Sequence, residues 1–203
     1  MINTETSFYG QQEDERILYL VRPHPLALVL RLLKIYLIAI FVFIAVSAAG
    51  KLLGSYGSLF SFSAILAAII IATVGSKLAN DQQRKNLAYL TDRRIVRFEP
   101  TTFFATNIRT LSWDEVVKVK TYSHNMLWKQ LAIGTVVVHA RSTLRVDEPK
   151  PDTVTADDIE MGDVYLYRDL GNYIDKILFT YKRRPKEVSE IHPFVPKPKG
   201  QRY

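Results

Sequence analysis

The sequence predicts an α+β chain: an N-terminal hairpin of two transmembrane helices, then a small antiparallel β-barrel or sandwich closed by a C-terminal α-helix. Three observations predict it. Two apolar runs, Leu26–Ala49 and Leu59–Val74, follow one another, and about 20 helical residues cross the roughly 30 Å hydrocarbon core of a bilayer. From Leu87 the pattern changes to short β-rich segments separated by turn residues. Last, Leu170, Tyr173, Ile174, Ile177, Leu178 and Tyr181 recur at helical spacing and make one apolar face. Strands followed by one closing helix bury their apolar faces on each other.

The composition hides the membrane class. Hydrophobic residues make up 48% of the 203, and the mean hydropathy is +0.00, so the local runs decide. The part after Lys77, about 125 residues, is enough for one small domain with its own core. A net charge of +7 suits nucleic acid or the anionic cytoplasmic leaflet. The two spans favour the leaflet, and the scattered Lys and Arg form no helix-turn-helix, zinc-finger or RNP-like pattern, so no nucleic-acid partner is expected. The chain has no cysteine, which excludes disulfides, thiolate metal sites and a Cys nucleophile. Glu13, Asp14 and Glu15 precede the first run where a secretory signal would be short and basic, so no cleavage is expected.

The first span is placed at 26–49 and must include Leu26–Leu33, because the uncharged stretch Ile35–Ala49 is short alone. Arg31 and Lys34 sit in its first turns and serve as interfacial anchors, their long stems snorkelling to the headgroups. The second span, at about 59–76, carries Ala64, Ala68 and Ala72 on one face, among further small residues. Small residues let helices approach closely in lipid. With the short connector Gly50–Ser58 this predicts an antiparallel hairpin within the chain, with dimerisation through the same face as the competitor. Arg16, Arg22, Arg31 and Lys34 lie before or early in the spans, Lys77, Arg84, Lys85, Arg93 and Arg94 after them, and Lys51 alone between. The positive-inside rule then places both termini in the cytoplasm.

In the soluble part, Leu87–Thr91 and Ile95–Glu99 flank the polar break Asp92-Arg93-Arg94 and read as a hairpin. Thr101–Leu111, with Phe103, Phe104 and Ile108, reads as a third strand. Glu115–Tyr122 alternates with period two. Gly134–Ala140 is β-branched and reads as a buried strand, and Asp163–Arg168 as another. Ser142–Met161 has turn composition and is expected to be a long loop. The helix follows, with Lys182, Arg183 and Arg184 at its end before Pro185. The expected organisation is a cytoplasmic lead-in over 1–25, the hairpin over 26–78, the β-domain over 86–182 with its insertion at 142–161, and a flexible basic tail over 183–203.

Three stretches carry a resemblance: Glu15-Arg16-Ile17-Leu18 leading to Arg22-Pro23-His24-Pro25, then Tyr89-Leu90-Thr91-Asp92-Arg93-Arg94-Ile95, then Trp113-Asp114-Glu115-Val116-Val117 followed by Gly134-Thr135-Val136-Val137-Val138. With the two spans they resemble the bacterial pleckstrin-homology domains of small membrane proteins of the YdbS-like group, over roughly Glu13 to Lys182. The resemblance implies a pleckstrin-homology-like β-domain. It supplies no activity, since the group is defined by architecture. The Ser142–Met161 insertion is longer and more acidic than the group leads one to expect.

No catalytic, cofactor-binding or metal-binding constellation is legible. His24, His124, His139 and His192 lack ligand spacing, and there is no GxSxG, phosphate loop or HExxH. His139 ends an apolar strand and reads as a core or edge histidine. Asp157, Asp158, Glu160 and Asp163 read as a solvated loop. Arg93, Arg94, Arg97, Lys118 and Lys120 are the candidate membrane- or ligand-facing basic residues, each worth about 1 kcal/mol near an anionic surface. Trp128, within Ser123–Leu131, is the candidate interfacial aromatic. The expected function is a non-enzymatic, membrane-anchored binding or scaffold module at the cytoplasmic face of a bacterial inner membrane, multi-pass, engaging lipid headgroups or a partner protein. The alternative is an accessory subunit of a larger membrane complex, or a homo-oligomer, bound through the hairpin.

Overall fold

A computed structural model of the chain describes residues 7–52, 57–102, 105–141 and 158–196. It forms two compact units, one over Pro25–Lys85 and one that joins the residues up to His24 with those from Asn86 onward.

The first unit is a helical hairpin of α1 (Pro25–Leu52) and α2 (Gly57–Lys85). Both are long and apolar enough to cross a membrane. Proline opens α1 at a position where its missing N–H costs nothing. Many apolar side chains point outward: Phe41 is 71% exposed and Phe62 70%, a surface that only lipid or another apolar partner would cover. The two helices pack on small residues. Ala39, Ala64 and Ala79 are buried. The approach is close at Gly75, where an added Cβ would meet Ile35 Cγ2 at 2.9 Å, and at Gly50, where it would meet Phe60 Cβ at 2.5 Å. The small-residue stripe therefore serves pairing within the chain.

Several hydroxyls of the hairpin find partners inside it, while the buried Ser47 Oγ has none among the described residues. Ser61 donates to the Gly57 carbonyl at 2.9 Å, Thr73 to the Ile69 carbonyl at 2.7 Å, and Ser76 to Tyr36 Oη at 3.2 Å. In lipid such groups have no water to turn to. α2 runs past the expected end of its span, through Ser76 to Lys85, as a more polar stem.

The second unit holds seven strands among the described residues, in two antiparallel sheets. The first sheet has the order β1 (Ile17–Val21), β2 (Leu87–Thr91), β3 (Arg94–Pro100), β4 (Thr106–Ser112). The second has β5 (Val116–Tyr122), β6 (Ile133–Ala140), β7 (Ile159–Tyr165). A short helix α3 (Met126–Gln130) joins β5 to β6, and α4 (Tyr167–Arg183) follows β7. The sheets share one core: Leu18, Leu90 and Ile95 from the first, Val136, Val138 and Met161 from the second, and Leu170, Ile174 and Ile177 from α4 are all buried. Trp113 fills the turn between the sheets, its indole N–H donating to the Thr91 carbonyl at 3.0 Å. α4 lies close on β5 because Gly171 has no side chain: a Cβ there would collide with Thr121 Cγ2. The two sheets are separate ladders among the described residues, so the closed barrel among the expectations is not what forms.

Several boundaries differ from the sequence reading. The lead-in is part of the domain, since Ile17–Val21 pairs with β2, Val21 opposite Ala88. The helical hairpin is thus inserted into the β1–β2 connection. The last strand lies at Ile159–Tyr165 and not at 163–168, because Ile159 and Glu160, which read as loop, belong to its start. The stretch expected to be a flexible tail turns back: Pro185–Glu190 forms a 3₁₀ helix, Val188 and Ile191 are buried, and Phe194 packs on Tyr19 and Tyr173. Phe103, Phe104, Asp157 and most of the 142–161 insertion lie outside the described residues.

Candidate functional site

Two of the stretches singled out in the sequence meet each other. The carboxylate of Glu15, from the lead-in, is buried against the β2–β3 turn. Arg94 Nε and Nη2 each donate to it at 2.9 Å, and the Thr91 hydroxyl adds a bond at 2.8 Å. Asp92 Oδ1 accepts from the Arg16 backbone N–H at 3.0 Å. Burial by itself raises the Glu15 pKa. The hydrogen bonds from Arg94, the Gln12 N–H and Thr91, with the Arg94 charge, outweigh it and hold the carboxyl below its ordinary value. These residues lock β1 and the turn together.

That lock takes up one of the expected basic residues. Arg94 is committed to Glu15, and Arg94 Nη2 also donates to the Gly10 carbonyl at 2.7 Å. Arg97 is buried, only 8% exposed; desolvation lowers its pKa, while the charges of Glu99 and Glu160 work the other way. Arg93 is half exposed and donates to Gln12 Oε1 at 2.6 Å. Lys118 is exposed and Lys120 half-buried, both on β5 in the other sheet. Arg93 also lies beyond the end of β2 that is farther from Asn86, where the chain re-enters the domain. The five strand residues between span about 17 Å. The two expected anchors of the first span, Arg31 and Lys34, stand exposed in the second and third turns of α1.

The Trp128 indole is not at the surface. Asn125 caps α3, its side chain accepting from the Trp128 N–H at 2.8 Å, and the indole turns inward, 9% exposed. The exposed side chains of that segment are its neighbours Met126 (75%) and Leu127 (70%), with Leu131 beyond them. The sequence signal was present, since all three lie in the same run, but a single helical turn could not be phased without its cap.

His139 is a core histidine. Its Nδ1 lies 3.0 Å from Asp158 Oδ2, and Asp158 Oδ1 accepts the Ala140 N–H at 3.0 Å. Asp158 is therefore buried, not solvated as expected. Glu160 accepts from the Tyr122 hydroxyl at 3.2 Å. Among the described residues no three His, Asp or Glu side chains gather as a metal site.

The remaining assembly lies where the chain leaves the domain for α1. The His24 N–H donates to the Asp163 carbonyl at 2.6 Å, and the His24 ring lies 5.7 Å from that of Tyr165. A bulge in β7 makes this capture: Gly134 faces Val164 and Val136 faces Met161, and Asp163 adopts φ +55° within the bulge. Tyr165 pairs with Ile133, and the Leu166 N–H donates to the Ala132 carbonyl at 2.7 Å. Ala132 and Leu166 are also left-handed, at φ +56° and +52°, a conformation that costs a non-glycine residue about 1 kcal/mol or more. So α3, Tyr165 and His24 are held at one end. Asn86 lines a small cleft there with Val21, Pro23, Arg97, Gly162 and Val164, so one of the expected basic residues lies at this end. Arg22, Lys129 and Arg168 are exposed cations of this end, and Asp163 and Asp169 are half-buried acids.

Compared with known proteins, the chain matches no family model, no curated protein and no solved structure.

Proposed function

We propose that this protein is a membrane-anchored, pleckstrin-homology-like binding module at the cytoplasmic face of a bacterial membrane, held there by a two-helix hairpin and engaging lipid headgroups. One observation carries the reading. The apolar hairpin is inserted between two neighbouring strands of the domain, so that both chain passages leave from the same end, at Val21–His24 and Asn86–Leu87. Three residues join β1 to α1 and one joins α2 to β2, so the hairpin tethers the domain through that end. The 4 + 3 strand arrangement with a closing helix supports the pleckstrin-homology likeness. The Lys and Arg bias outside the connector supports cytoplasmic termini. Headgroup contact falls to the end that carries Arg22, Lys129 and Arg168, in place of the distal turn with Arg93 and Arg94.

Cysteine labelling tests the anchoring, since the chain has no native Cys. An impermeant maleimide reaches Ser55→Cys in intact cells, and Glu190→Cys only after lysis. Amide exchange of the full chain in nanodiscs tests the engagement. Protection around residues 22–24 and 126–131 increases as anionic lipid replaces zwitterionic lipid. Protection that ignores lipid charge would count against headgroup binding.

A further inference from the structure

We infer that the α3 tip, through Met126 and Leu127, is a membrane-inserting wedge that enters the same bilayer as the hairpin. The inference rests on the anchored-module reading. Two large apolar side chains, 75% and 70% exposed, crown a helical turn fixed from below by the buried Trp128 and the Asn125 cap. Leu131 and Tyr165 are 48% and 40% exposed, and the Leu131–Leu127 and Leu166–Ala132 backbone bonds hold their segments at the same corner.

The occupant follows from chain continuity. The Tyr165 ring lies against that of His24, and the residue after His24 is Pro25, the first of an apolar helix. The Ala132–Leu166 and Asp163–His24 backbone bonds tie α3, β7 and this exit into one corner. The corner that carries the patch is joined through His24–Pro25 to the apolar α1, so a bilayer is the apolar phase that chain continuity offers it. Lys129, within α3, and Arg168, three residues after Tyr165, are exposed cations of these segments, and interfacial segments combine cations with an apolar face. Trp128 then acts as a positioning residue for the wedge.

The test uses the full-length protein in proteoliposomes, with an environment-sensitive fluorophore on single cysteines at Leu127, Asp114 and Leu66. Lipids brominated near the headgroup or deep in the chain serve as quenchers. Apolar faces of interfacial segments lie about 5–10 Å into the headgroup boundary, so the label at 127 should shift to the blue and be quenched by the shallow lipid more than the deep one. The label at 114 should be quenched by neither, and the one at 66, in α2, by the deep lipid. A blue-shifted label at 127 that no lipid quenches would mean that a protein or a second copy covers the tip, and would overturn the inference. So would a label at 127 that behaves like the one at 114. If 66 also escapes quenching, the anchoring reading falls with it; if 66 is quenched and 127 is not, only the wedge is lost.

Discussion

Arg94 shows how a residue that looks like a ligand contact can be structural. Its guanidinium bonds the Glu15 carboxylate through two nitrogens, and that carboxylate has no exposed side-chain surface. Arg94→Ala leaves a buried charge without its partner and should cost about 3 kcal/mol, measured as a lower urea midpoint for the full chain in detergent. Arg94→Lys recovers only part, because a point charge cannot replace the fork. The pH dependence follows from the same pair. Glu15 titrates lower folded than unfolded, so the unfolded chain binds the extra proton. The stabilisation is complete above the usual glutamate range and is lost as pH falls through the folded value. Glu15→Gln should flatten that acid limb; an unchanged limb would show that other carboxylates set it.

At the level of elements, α4 is the part whose sequence pattern was easiest to read. All six residues of its apolar face are buried or partly buried. Ile174→Asp puts an unpaired charge at a position with no exposure and should unfold the domain, since that cost of several kcal/mol rivals its whole stability. Near-UV circular dichroism of the full chain checks it, and a native spectrum would place the face outside the core. Gly171→Val should act similarly through its collision with Thr121. The strand β7 was harder. Asp158 and Glu160 mark a loop by composition, yet they pair with His139 and Tyr122, which no local pattern announces.

For the whole molecule, the β-domain is discontinuous. Residues 86–196 alone lack β1 and Glu15, and expose the edge of β2 that β1 covers. We expect that fragment to aggregate. Replacing 25–85 by a short Gly/Ser loop, so that 7–24 runs into 86–196, should give a soluble folded domain, because Val21 and Ala88 are already opposite one another. Size-exclusion chromatography and amide exchange distinguish the two. Equal behaviour of both fragments would mean that β1 contributes little.

By itself the sequence determined what depends on local order: two runs long enough to span a bilayer, the small-residue face on which α2 packs, the hairpin at 87–99 and the amphipathic α4. Each follows from a period or a length that neighbouring residues impose. Tertiary structure decided what depends on distant partners. It put Ile17–Val21 beside β2 although all of α1 and α2 intervene, turned Trp128 inward and Leu127 outward, tied Arg94 to Glu15, buried Arg97 at the exit cleft, and returned Phe194 to Tyr19. Burial and pairing are properties of the folded contact set, and a charged or aromatic residue carries no mark in sequence of whether its partner is water, lipid or another part of the chain.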